Sequence, residues 1–239
     1  MLEALFWGLV TASSLWLGAA IASYARPSQK MIGLAMAFGA GALIAAVAYE
    51  LVIDAFESDL RLATIGFVCG GLTFYVGDVR IGRMGGEGRK SMTGQSQLAG
   101  SASAIVLGTV LDGIPESFVL GSSLLEESAV PIAVVVGVFV SNVPEALSGS
   151  AGLLQAGWTR MRVFRMWTYV VAASVAATVL GFELVDELGS SGRAFVTAYA
   201  AGALIVMLAD TLMPEAFELG GREAGLLTAF GFAVGFGLS

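Results

Sequence analysis

The chain contains no histidine, one cysteine and few charged residues, and each shortage narrows what it can do. Without histidine it cannot carry a Ser-His-Asp triad, a Cys-His pair or the HExxH zinc motif. The single cysteine, Cys69, excludes a disulfide within the chain. Charged residues make up 13% of the 239 residues, against about 25% in an average soluble domain. We therefore expect a polytopic membrane protein that is not an enzyme.

Long hydrophobic segments dominate what is present. A helix needs about 20 apolar residues to cross the hydrocarbon core of a bilayer, and eight segments come close to that length. They predict an all-α integral membrane protein, with residues 1–239 forming a single transmembrane domain. The predicted helices cover residues 4–23, 31–53, 62–81, 100–125, 130–154, 164–185, 194–215 and 222–239. The Gly/Ser/Gln-rich stretch 82–100 predicts a flexible cytoplasmic linker after the third helix.

The basic residues predict the orientation. If the N-terminus lies outside, ten of the twelve Lys and Arg residues fall in inside loops, and only Arg61 and Arg193 fall outside. Lys and Arg are enriched in cytoplasmic loops, so both termini are expected outside. The cluster Arg160, Arg162 and Arg165 is predicted to be a topology anchor. Anionic lipid or nucleic acid is the less favoured partner for that cluster, and we expect no nucleic-acid partner for the chain.

An internal repeat links the second and seventh predicted helices. Residues 38–57 read FGAGALIAAVAYELVIDAFE and residues 199–218 read YAAGALIVMLADTLMPEAFE, identical at half of the aligned positions. We expect two three-helix repeats around a central pair, a 3+2+3 arrangement, with both copies running in the same direction. Internal repeats around a site at the membrane midplane are typical of transporters.

The central pair of predicted helices carries two related motifs, DGIPE at residues 112–116 and SNVPE at residues 141–145. A carboxylate within the bilayer is costly and usually functional. Neither apolar run contains a Lys or Arg to neutralise its acids. A metal ion or protons are therefore the expected partners of these carboxylates.

Helical spacing predicts how the candidate ligands are grouped. Asp112 and Glu116 share one face of the fourth helix, and Ser141 and Glu145 share one face of the fifth, with Asn142 beside them. Each proline also frees the carbonyl four residues earlier. An all-oxygen set suits Mn²⁺, Mg²⁺ or Ca²⁺ better than Zn²⁺, although Zn²⁺ also accepts carboxylates. The alternative is that the acids are protonated and hydrogen-bond between helices.

The outer repeats supply further acids. Glu50 on the second helix and Asp210 on the seventh are expected at a similar depth, as candidate metal ligands. Asp54 and Glu215 lie one turn further along. They are interpreted either as an entrance funnel or as solvated helix ends.

The paired Pro-Glu motifs resemble those of the ZIP (Zrt/Irt-like) family of divalent metal transporters. That family carries His-Asn-x-Pro-Glu-Gly on its fourth helix and x-Asn-x-Pro-Glu on its fifth. The resemblance covers nearly the whole chain, including the helix count, the outside termini and the linker. It implies transport of a divalent cation (zinc by family, or manganese, iron or cadmium) across the plasma (inner) membrane into the cytoplasm. It also implies a homodimer and no prosthetic group.

The resemblance further implies roles for individual residues. Glu116 and Glu145 would bridge or ligate the metal, Ser141 and Asn142 would flank it, and Asp210 would lie near the path. Asp112 stands where the family has histidine, and Gly113 where it has asparagine. Gly113 cannot ligate through a side chain, and both departures take nitrogen away from the family site. The loss of nitrogen makes Mn²⁺ or Fe²⁺ more plausible than family membership alone would suggest.

Three other functions use the same acids. One is a proton or monovalent-cation pathway, and another is a metal-binding homologue that senses metal without transporting it. The third is an intramembrane aspartyl hydrolase with Asp112 and Asp210 as its acid pair. The third is disfavoured because the YVGD sequence at residues 75–78 lacks the Gly-x-Gly-Asp pattern expected of such enzymes.

Overall fold

The computed structural model describes residues 1–25, 27–86, 102–126, 130 and 132–238, and all regular structure within them is helical. The helices are α1 Leu2–Tyr24, α2 Gln29–Ser58, α3 Leu60–Ile81, α4 Ala102–Glu126, α5 Ile132–Gln155, α6 Arg160–Asp186, α7 Ser190–Gly220 and α8 Glu223–Leu238. In that part of the chain, α1, α2, α3, α5, α6 and α7 are long and apolar enough to cross a membrane. The protein is therefore an all-α, multi-pass membrane protein.

The predicted helices differ from the observed ones mainly at their ends. The helices α2 and α7 each extend five residues past the predicted ends at residues 53 and 215, so Asp54 and Glu215 lie within helices and not at their ends. A π-helical stretch, Gly82–Gly86, follows α3, so helical structure enters the predicted linker. Residues 87–100 of that linker, the loop residues 127–129, and Arg26 lie outside the described residues.

Side-chain caps determine where three helices begin. Ser28 accepts a hydrogen bond from the Met31 N–H at the start of α2, and Thr159 caps the start of α6 in the same way. Asp59 is the single residue between α2 and α3, and its carboxylate accepts from the Leu62 N–H at 3.1 Å. That bond, with a second from the Ser191 side chain, holds the pKa of Asp59 below its usual value. Asp59 therefore joins the α2–α3 turn to the start of α7.

Close backbone contacts at glycines hold the outer helices together. The helix α2 packs along α8, and α3 packs along α7. In both pairs a Cβ on a glycine would overlap a main-chain carbonyl oxygen of the facing helix: Gly41 with Thr228, Gly231 with Phe38, Gly202 with Phe67 and Gly70 with Tyr199. Each residue of the first two contacts is 161 positions from its counterpart in the last two, which is also the distance between the two copies of the repeat. The repeat seen in the sequence is thus also a repeat of tertiary contacts.

The two copies run in opposite directions. Ala55, near the end of α2, packs with Ala198 in the first half of α7. Gly33, near the start of α2, lies against Gly220 at the end of α7. The expectation of parallel copies was therefore wrong, and the repeat is inverted. The matched helices α2 and α7 are separated by five turns of the chain. Because each turn reverses the direction of the next helix, an odd number of turns makes α7 antiparallel to α2.

The remaining helices form the centre of the bundle. The helix α1 packs on α5, and α4 packs on α6, while α1 also contacts α6 and α2 contacts α5. Gly18 of α1 lies against the carbonyl of Val143, and Gly181 of α6 lies against that of Phe118. Helices from the N-terminal end of the chain, α1 and α2, therefore hold α5, and α6 from the C-terminal end holds α4.

The glycine contacts predict a position-dependent effect of a single methyl group. Gly202→Ala should destabilise the protein by about 1–3 kcal/mol, because overpacking forces neighbouring backbones apart. Gly237→Ala is the matched control, since a Cβ there meets nothing within 4 Å. Thermal unfolding of both purified variants in detergent measures the difference. Equal midpoints for the two variants would contradict the packing described here.

Candidate metal centre

The two Pro-Glu motifs lie in the interiors of α4 and α5. Both helices continue through Pro115 and Pro144. Proline in a helix interior removes one backbone hydrogen bond and leaves a carbonyl without its helical donor. Such a carbonyl is tolerated at membrane depth when it is buried in protein or lines a cavity. The motifs are therefore placed where main-chain oxygen can add to the side-chain ligands.

The structure buries every side chain that the sequence predicts for the centre on α4 and α5. Relative exposure is 0% for Asp112, 1% for Glu116, 0% for Ser141, 6% for Asn142 and 4% for Glu145. An ionised carboxylate removed from water this completely must be compensated by a cation or by strong hydrogen bonds, or else take up a proton. These side chains therefore have the burial expected of a cation or proton site.

A direct contact joins the two motifs. The Ser141 hydroxyl oxygen of α5 lies 3.4 Å from Oε1 of Glu116 on α4. The same oxygen lies 3.0 Å from the Val138 carbonyl oxygen of its own helix. A serine hydroxyl has only one proton, so it can donate to only one of these acceptors at a time. Ser141 can therefore release Glu116 to another partner without losing its own hydrogen bond.

Two neighbouring helices approach the motifs closely. Gly39 of α2 is so near Ser141 that a Cβ would lie 2.8 Å from the Ser141 Cα. On the other side, a Cβ at Gly113 would lie 3.3 Å from the Ser174 hydroxyl of α6. Ser174 is itself buried and brings an oxygen to the motif of α4. Ser174 could not be assigned to the centre from the sequence, because nothing in its local sequence distinguishes it from a packing serine.

Glu50 and Asp210 occupy a different kind of position. Each lies in a π-helical turn, Val47–Val52 in α2 and Leu208–Leu212 in α7, at matching places in the repeat. Single π-helical turns within α-helices are frequent at functional sites. Glu50 is half-buried and Asp210 is exposed. The sequence predicted the acids but not the π-turns, which have no residue signature.

The inverted repeat changes how these outer acids are arranged. In the antiparallel pair, Glu50 lies toward the Ala55–Ala198 contact and Asp210 lies toward the Gly33–Gly220 contact. At a rise of 1.5 Å per residue, the two acids are separated by roughly 10 Å along the helices. The expectation of a similar depth was therefore wrong.

Asp54 and Glu215, one turn further along, likewise fall at opposite ends of the pair and cannot form a single funnel. Asp54 lines a cavity of about 360 Å³ with residues from the start of α7, including Arg193 and Thr197. Asp54 therefore lies at one end of the antiparallel α2–α7 pair, and Glu215 lies at the other end.

The described residues contain no group of three or more His, Cys, Asp and Glu side chains placed to hold a metal ion. Asp112, Glu116 and Glu145 therefore do not form a ready-made carboxylate triad. In this arrangement a metal ion would contact at most two carboxylates. Hydroxyl, amide, main-chain or water oxygens would complete its coordination.

Comparison with protein-family models gives no match to this chain, and comparison with curated proteins gives none either. The resemblance to the ZIP family therefore depends on the motifs and their helical placement. It stays a prediction.

A buried hydrogen bond joins α6 to α5, the helix that carries the SNVPE motif. The Trp167 indole N–H donates to the Ser150 hydroxyl at 2.8 Å, and both side chains are buried. Ser150→Ala should cost about 1–3 kcal/mol, because it leaves a buried donor unsatisfied. Ser122→Ala is the control, since that buried hydroxyl donates to a carbonyl of its own helix.

A double-mutant cycle with Trp167→Phe tests this bond through thermal unfolding in detergent. The cost of Ser150→Ala should largely disappear in the Trp167→Phe background. A cost that persists there would show that the stability lost in Ser150→Ala does not come from this hydrogen bond.

Proposed function

We propose that the protein carries a divalent transition-metal cation across the plasma membrane into the cytoplasm, through the oxygen-rich site between α4 and α5. The substrate is zinc, manganese, iron or cadmium. The observation that carries the proposal is the contact between Ser141 and Glu116, which brings the two buried motifs together inside an apolar helical bundle. In this proposal all eight helices cross the membrane and both termini lie outside.

The chemistry of the site supports a cation as its ligand. Its side chains offer carboxylate, amide and hydroxyl oxygens, which suit hard and borderline divalent ions. A divalent cation would also offset the cost of burying ionised carboxylates. Because the chain has no histidine, selectivity for zinc would have to arise without imidazole nitrogen.

The inverted repeat supports transport rather than static binding. Inverted repeats allow a carrier to exchange two arrangements of its halves, so that a central site opens to one side and then to the other. The π-helical turns carry Glu50 and Asp210, which are separated by roughly 10 Å along the antiparallel pair α2 and α7. They would supply one acid to the outer part of the path and one to the inner part.

One structural observation favours a second candidate function. Because no three acids converge among the described residues, the same carboxylates could serve a proton or monovalent-cation pathway. A proton pathway needs only buried carboxylates with suitable pKa values. Dependence on a metal ion separates the two functions. A homologue that binds metal without transporting it is a further alternative.

Metal uptake into proteoliposomes tests the proposal. The Glu116→Gln/Glu145→Gln variant should lose at least about tenfold in uptake of Zn²⁺, Mn²⁺, Fe²⁺ or Cd²⁺, because removing charged ligands costs well over 1.4 kcal/mol. Glu187→Gln, at the exposed end of α6, should transport normally. Proton flux that continues with a chelator and stops in the double variant would establish the proton pathway instead.

Replacing Asp112 with histidine tests the basis of selectivity. Asp112→His restores a nitrogen ligand to the α4 motif, and nitrogen favours Zn²⁺ over Mn²⁺. The ratio of Zn²⁺ to Mn²⁺ uptake should rise by about tenfold, as expected for roughly 1.4 kcal/mol of altered preference. Competition between the two ions in one uptake assay measures this ratio. An unchanged ratio, with uptake intact, would place Asp112 outside the metal coordination.

A further inference from the structure

A cavity separate from the metal centre opens where α1 and α5 end and where α2 and α6 begin. Its volume is about 660 Å³. Its apolar lining includes Ile32 of α2 with Leu147 and Leu154 of α5, and its polar lining includes Ser23 of α1, Gln155 and Arg160. An apolar chamber with polar and cationic groups in its wall has the layout of a site for an amphipathic anion.

The positive charge at this cavity is held in place by aromatic rings. The Arg160 guanidinium lies 4.9 Å from the centre of the Tyr24 ring. Arg162 does not line the cavity, but its guanidinium lies 3.7 Å from the ring centre of Trp158, which does. Arginine stacked on a ring keeps its hydrogen-bond donors available. Arg160 is also the first residue of α6, where backbone N–H groups and the helix dipole favour an anion.

A buried hydroxyl in the wall of the cavity is a second, independent indication of a ligand. Ser23 is only 3% exposed, and its hydroxyl oxygen has no hydrogen-bond partner among the described residues. Buried polar side chains nearly always have a hydrogen-bond partner in the protein or in ordered water, so one without a protein partner indicates a bound water, ion or ligand. Ser23 lines the same cavity as Arg160, so one ligand could satisfy both.

We propose that this cavity binds a phosphate group, with the Arg160 guanidinium and the Ser23 hydroxyl as its donors. The phosphate belongs either to an anionic phospholipid headgroup or to free phosphate. The apolar lining formed by Ile32, Leu147 and Leu154 favours the lipid, because a single acyl chain could lie against it. Arg160 makes the cavity unfavourable to cations, which separates it from the proposed metal path. The proposal does not depend on metal transport.

Native mass spectrometry of the full chain in detergent tests the proposal with three ligands. These are phosphatidylglycerol, phosphatidylcholine of the same acyl length, and inorganic phosphate. Arg160→Gln should weaken retention of phosphatidylglycerol by about tenfold, as expected for loss of one charge-assisted contact. Ser23→Ala should weaken it by a smaller factor. Arg80→Gln, which removes an exposed arginine at the end of α3, is the control and should bind normally.

Each outcome decides a part of the proposal. Retention of phosphatidylglycerol over phosphatidylcholine, reduced in both cavity variants, establishes the lipid site. Inorganic phosphate that binds as tightly as the lipid, and weakens in the same variants, assigns the site to free phosphate. Retention that is unchanged in both Arg160→Gln and Ser23→Ala overturns the proposal. Unfolding midpoints measured without phosphate or anionic lipid verify that both variants are folded, and Ser23→Ala changes too little volume to disturb the fold.

Discussion

Burial of Asp112, Glu116 and Glu145 inside an apolar bundle is the constraint on which the rest of the structure depends. Carboxylates at this depth destabilise the bundle unless other groups or ions compensate them. The surrounding helices must therefore be held tightly by contacts that do not involve the acids. Backbone contacts at glycine provide this, since Gly18 holds α1 against α5 and Gly181 holds α6 against α4. Because these contacts are made with main-chain atoms of α4 and α5, the polar side chains between the two helices stay available for chemistry.

Glycine contacts of the same kind build the inverted repeat. The glycine contacts between α2 and α8 recur between α3 and α7 at one constant offset, so the two ends of the chain build equivalent scaffolds in opposite orientations. Each scaffold contains a π-helical turn that carries an acid, Glu50 in one and Asp210 in the other. A π-turn weakens the local hydrogen-bond pattern of a helix. Placing one in each copy gives both halves of the bundle the same deformable point, which suits a protein that exchanges two arrangements.

Much of this architecture could be predicted from the sequence because apolar length and helical spacing are local properties. The helices, the repeat and the burial of both Pro-Glu motifs follow from them. Three features could not be predicted in this way. The π-turns depend on hydrogen-bond registers that have no residue signature. The role of Ser174 beside Gly113 depends on how α4 and α6 meet. The separation of Glu50 from Asp210 depends on the direction of α7. The alternation of the membrane spans determines that direction, and the similarity of the two repeat sequences does not.

The central motifs are also related to each other, and that relation has a chemical consequence. Aligning Pro115 with Pro144 pairs Glu116 with Glu145 and Asp112 with Ser141. A two-fold axis between α4 and α5 would turn the observed Ser141–Glu116 contact into one between Asp112 and Glu145. Two buried carboxylates at that distance cannot both stay ionised without sharing a proton or a cation. Under that symmetry, the half of the site where Asp112 stands in place of serine would be where the bundle most needs a proton or a cation, whereas on the serine side the neutral Ser141 hydroxyl lies beside Glu116.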